Sequence, residues 1–132
     1  MLDEIGDYLD ANVGALTLGT NLFLGRMPET PENAVAVYEP SSAPPSYSLG
    51  GSGVPDLERP RIQIHVRNTV YATGRSLAYT IWVAMNQIVS ETLGTTYWLR
   101  VESVDSPHFL MRDANDRPIF NMNFQGLKEP AA

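Results

Sequence analysis

A chain of 132 residues is long enough to bury one core and too short for two comfortable ones, so one domain is expected. The absence of cysteine excludes disulfides, zinc-thiolate sites and a cysteine nucleophile, and is compatible with a reducing compartment. A formal net charge of -6, with eight arginines against the lone Lys128, argues against a generic attraction to phosphate backbones; arginine's planar fork suits carboxylate pairing at protein contacts, although a coding bias would give the same skew.

The chain opens on MLDEIGDYLD, acidic where a secretory leader would be basic. No apolar run approaches the roughly 20 residues that span a bilayer, so a soluble chain is expected. Leu2, Ile5, Leu9 and Val13 recur at helical spacing, Asp3 and Glu4 lie in the first turn where the helix dipole favours negative charge, and Gly14 is a stop signal. Asp3, Glu4, Asp7 and Asp10 then form a solvated helix face or an acidic patch turned to a partner. Two apolar runs follow, Asn21 to Gly25 and Ala34 to Tyr38, separated by a turn holding Pro28 and Pro31, and read as strands.

From Pro40 to Pro60 the segment PSSAPPSYSLGGSGVPDLERP is crowded with Pro, Gly and Ser, and predicts one long loop, functional or disordered. RPRIQIHVRN comes next with strict alternation. As a strand it sends Ile62, Ile64 and Val66 to the core and Arg61, Gln63, His65 and Arg67 to the opposite face. A helix is predicted from about Thr73 to Thr92, its spine Leu77, Ile81, Met85 and Ile88, its stripe widened by Trp82, Ala84 and Val89, and Gly94 placed as its closing glycine. Three strand-like runs complete the chain: Tyr97 to Val104, His108 to Arg112 and Ile119 to Gln125. The last alternates Phe120, Met122 and Phe124 against Asn121, Asn123 and Gln125, and the turn DANDRP precedes it, so a meander is expected. The order helix, two strands, loop, strand, helix, three strands implies an α+β fold: two helices packed on a largely antiparallel mixed sheet, in a single domain with one long Pro/Gly/Ser-rich loop.

The residues of an enzyme are not visible. Only His65 and His108 are present, far apart in sequence, and HExxH, glycine-rich phosphate-loop, GxSxG and kinase-like signatures are missing. A metal-dependent nuclease wants clustered carboxylates and often a lysine nearby, whereas Asp56 and Glu58 lie in the loop and Lys128 near the end of the chain. DANDRP resembles a calcium loop superficially but lacks the glycine and distal glutamate of that motif. No catalytic, cofactor-binding or metal-ligating residue is assigned. His65 reads equally as a surface histidine, and Trp82 and Trp98 as core or interface fillers.

Taken together, LFLGRMPETPENAVAVYEP, the strand RIQIHVRN leading through TGRSLAYTIWVAMNQIV, and the ending SPHFLMRDANDRPIFNMNFQ resemble the small minor capsid or tail terminator proteins of long-tailed bacteriophages. The resemblance lies in the order of the pieces and covers nearly the whole chain. It implies a non-catalytic virion protein, made in the host bacterial cytoplasm, that forms a ring, usually a hexamer, on the head-proximal end of the tail tube. Such a ring ends tube polymerisation and joins head to tail. Its implied partners are other copies of itself, the tail tube protein and a head-completion or connector protein, with DNA passing through without specific binding, no membrane and no cofactor. A ring needs two different complementary patches on each subunit. Arg61, Gln63, His65 and Arg67, with Arg112, Asp113 and Arg117 of the final hairpin, are the candidate interface, and plain solvent exposure is the alternative. A neck connector of the same virion and a metal-dependent hydrolase remain as other readings.

Overall fold

The computed structural model describes residues 1–47, 51 and 53–130. Two helices, α1 (Leu2–Asn12) and α2 (Tyr71–Asn86), pack on a sheet of eight strands: β1 (Leu22–Leu24), β2 (Ala34–Tyr38), β3 (Ser42–Ser46), β4 (Leu57–Arg67), β5 (Val89–Leu93), β6 (Thr96–Ser103), β7 (His108–Arg112) and β8 (Pro118–Lys128). This is the expected α+β arrangement, largely antiparallel and mixed through β1 and β2, which are parallel neighbours rather than a hairpin.

The long antiparallel pair β4 and β8 forms the centre, with Ile62 opposite Phe124, Ile64 opposite Met122 and Val66 opposite Phe120. Directly opposed residues share a face, and these six side chains are all fully buried beneath the helices. Each long strand is lined along its outer edge by two short ones in tandem. β2 and β3 share the edge of β4, and β6 and β7 share that of β8. The expected meander is therefore corrected, because β6 and β7 do not pair with each other. Asp105, between them, accepts the backbone N–H of Asn123 at 2.9 Å and the Asn123 amide at 2.8 Å. This holds the chain against β8 as it passes from one short strand to the next.

The loop from Pro40 to Pro60 is likewise shorter than expected. Ser42–Ser46 pairs with β4, and β4 itself starts at Leu57. Pro44 and Pro45 are tolerated because β3 lies at an edge, where a missing N–H breaks no second ladder. Ser48, Leu49, Gly50 and Ser52, which also fall within the predicted loop, lie outside the described residues.

α1 buries Ile5, Tyr8 and Leu9, and its Tyr8 hydroxyl donates to the Ala84 carbonyl of α2 at 2.8 Å. α2 buries Gly74, Ala78, Ile81, Ala84 and Met85 and stops at Asn86, short of the expected Thr92. Ile88 is still buried, but its carbonyl accepts the Val101 N–H at 2.9 Å, so by that point the chain already belongs to the sheet. Gly94 accordingly closes the two-residue β5–β6 turn rather than a helix; its φ of +60° suits the first central position of such a turn. The sheet curls enough for α1 to touch both β1 and β5, which stand at opposite ends of the strand order.

Candidate functional site

With one sheet face beneath the helices, the other face carries the polar residues of the alternating strands. Its rows follow from register. His65 lies opposite Asn121, which lies opposite His108; Gln63 lies opposite Asn123 and Tyr38; Arg61 lies opposite Gln125, which lies opposite Glu102. The middle row is bonded across the strands: the Gln63 amide donates to Asn123 Oδ1 at 3.3 Å, and Asn123 in turn is held by Asp105. A cleft of about 340 Å³ lies beside it, lined by Pro40, Ser41, Arg61, Gln63, Val104 and Asn123 among others.

The seven sequence-derived candidates divide into two groups. Arg61 is exposed, and Gln63 and His65 are half-buried on the open face. Arg112 is exposed at the end of β7, where its Nη1 donates to the Asp116 carbonyl at 3.0 Å. Arg67 and Arg117, in contrast, are only 3% and 5% exposed. Arg67 donates to the backbone carbonyls of Glu29, Pro31 and Glu32, and Arg117 donates to the Glu29 carbonyl at 2.9 Å, the Glu29 carboxylate at 2.9 Å and Asp113 Oδ2 at 2.8 Å. Two buried arginines thus share one carbonyl and tie the proline-rich turn before β2 to the β7–β8 turn. Asp113 completes the tie, its Oδ1 accepting the backbone N–H of Asn115 and of Arg117.

The electrostatics follow from this packing. Burial, then the like charge of Arg117, lowers the Arg67 guanidinium, while Asp113, Glu29 and Tyr38 oppose the shift. Burial raises the Asp113 carboxyl, but the hydrogen bonds from Arg117 and Asn115 outweigh it and hold the group below the ordinary carboxylate value. Burial lowers His65, whose ring lies edge-on to Tyr38 with centroids 5.0 Å apart. The Asn121 side chain offsets part of that without reaching hydrogen-bond geometry, since His65 Nε2 and Asn121 Oδ1 both lack a partner among the described residues.

Sequence reasoning missed Glu29 and Asp105, because a carboxylate and a carbonyl that organise distant turns leave no periodic signal. It also missed the pair of Lys128 with Glu58, 2.9 Å apart with the lysine buried beside Trp98. Among the described residues, no group of three or more His, Asp or Glu side chains is arranged to hold a metal ion. Nor, among those residues, is any helix long and apolar enough to cross a membrane.

The fold recurs in solved structures. A chain from the virion of a native gene transfer agent particle superposes with a TM-score of 0.75 at 15% identity, over 98% of this chain and 95% of that one. A second superposes with a TM-score of 0.60 at 11% identity, over 100% of this chain and 98% of that one. No curated protein matches the chain. The family model described as Bacteriophage tail terminator protein matches residues 8–129, from α1 through β8, and the chain therefore belongs to the phage tail terminator family of structural, tail-associated virion proteins.

Proposed function

We propose that the chain caps the head-proximal end of a phage tail tube as a ring of copies, ending tube polymerisation and offering the surface to which the head is joined. The family match across nearly the whole chain carries this reading. Tail tube protein on one side and a head-completion protein on the other are the partners. The open face bearing Arg61, Gln63 and His65, with Arg112 at its edge, is the docking ledge. Arg67, Asp113 and Arg117 serve it by fixing the two turns that flank it. The acidic balance of the chain suits a passage that repels phosphates and lets DNA through without holding it.

The test is tube growth in vitro with purified tail tube protein, followed by head addition, scored by electron microscopy. The chain should cap tubes at one end and stop elongation. Arg61→Glu, on an exposed side chain, should impair joining with an unchanged circular-dichroism spectrum. Tubes that elongate freely at saturating chain sink the proposal. Binding to head connectors but not to tubes moves the protein to the neck of the virion. Tight, salt-sensitive binding of the tube-assembled chain to duplex DNA overturns the conduit reading.

A further inference from the structure

Two further features are without a partner among the described residues, and they adjoin. One is a groove of about 760 Å³ along the outer flank of α2, lined by Tyr71, Arg75, Tyr79 and Trp82, with Ser106 and Pro107 as its other wall. Tyr79 is 59% exposed, yet its ring lies 5.8 Å from that of Trp82, whose Nε1 donates to the Asp105 carbonyl at 3.1 Å. Tyr71 reaches Phe109 at 5.8 Å and the buried Phe120 at 5.0 Å, so these exposed aromatics are seated on the core. Exposed aromatic side chains of this kind are enriched at interaction sites.

The second feature is β7. Among the described residues it pairs with β8 on one side only, and its successive Phe109, Leu110 and Met111 are all exposed, Met111 by 50%. A free edge with three apolar residues in a row is what monomeric proteins avoid. β3 carries two prolines on its edge, whereas β7 carries none and is marked instead by a register shift between Phe109 and Met111.

Charge indicates what covers this surface. Arg75, exposed in the groove, forms no ion pair among the described residues, and the matching charge is present on the chain itself. Asp3, Asp7 and Asp10 share the outward face of α1, and among the described residues Asp7 is likewise without an ion-pair partner. We infer that the α2–β7 surface docks a second copy of this chain, whose acidic α1 face meets Arg75. The two patches differ, so the contact is heterologous and passes from subunit to subunit. Its closure into a ring rests on the proposed tube-capping function, whereas the contact itself does not.

The experiment is mass determination by sedimentation and light scattering, for the chain alone and on purified tail tubes. Tyr79→Ala and Arg75→Glu, both at exposed positions, should each raise the concentration needed for assembly by about tenfold or more. The charge swap Arg75→Glu with Asp7→Arg should restore most of it, a rescue that damage to folding would not give. A wild-type chain that stays monomeric in both settings overturns the inference, as does assembly unmoved by either substitution. Loss of tube or head-protein binding with self-assembly intact assigns the surface to that partner and also overturns it. A chain that assembles through this surface but fails to cap tubes supports the inference while sinking the proposed function.

Discussion

Gly126 lies inside β8 opposite Val101, in a strand interior where glycine is ordinarily unfavourable. The reason for it is Trp98. A Cβ at position 126 would lie 2.5 Å from Cζ3 of the Trp98 ring and 3.3 Å from Cγ of Pro60. Carbon atoms at rest sit about 3.5–4.0 Å apart, so the overlap with the ring is about 1 Å or more. Trp98 is fully buried, with Lys128 Nζ 5.9 Å from its ring, and cannot swing into solvent. Overpacking of this kind costs about 1–3 kcal/mol, against which replacing a strand glycine with alanine returns about 0.5–1 kcal/mol of backbone entropy. Gly126→Ala should therefore lose about 1–2 kcal/mol, equivalent to a Tm lower by about 3–10 °C for a domain of this size. Urea unfolding followed by circular dichroism measures it, with Gly14→Ala as control, since a Cβ there meets nothing within 4 Å. Trp98→Phe removes the colliding ring, and in the Gly126→Ala background it should cost less than in the wild type, with a coupling of about 1 kcal/mol. Gly126→Ala as stable as Gly14→Ala would refute the reasoning.

Arg117→Ala leaves Asp113 Oδ2 without its donor and takes from the Glu29 carbonyl one of its two arginine donors, and should cost about 2–4 kcal/mol in urea unfolding; Arg117→Lys should recover only part of it, because a single ammonium cannot reproduce the fork. Tyr8→Phe removes the hydrogen bond to the Ala84 carbonyl joining the two helices and should cost about 1 kcal/mol in the same assay. His65 has a folded pKa below its unfolded one, so the unfolded chain takes up the proton first as pH falls. Its contribution to stability is present above the ordinary imidazole range, near 6.5, and is lost on acidification from there towards the lower folded value. Stability measured from pH 7.5 to 5.5 should fall, and His65→Gln should flatten that slope; an identical slope in the variant would show that other groups set it.

Much of the architecture could be read from the chain because its signals are local. The period of β4, with Ile62, Ile64 and Val66 on one side, and that of Phe120, Met122 and Phe124 in β8 name the core face of both central strands directly, since alternation leaves only two sides to choose from. α1 was legible for the same reason. What the tertiary structure decided is non-local. Nothing in two apolar runs says that β1 and β2 are parallel, that a proline-bearing segment lies along β4 as an edge strand, or that β6 and β7 share one side of β8. The helical pattern ran on through Ile88 and Val89 because a buried residue in a turn has the same composition as one in a helix, and only the bond from Val101 shows where the helix has ended. The candidate surface divided on the same principle. Alternation correctly put Arg61, Gln63, His65 and Arg67 on one face, but whether an arginine on that face meets solvent or a backbone carbonyl depends on where a turn some thirty-five residues away comes to rest. Arg67 and Arg117 are bound to that turn, and Arg61 is left exposed.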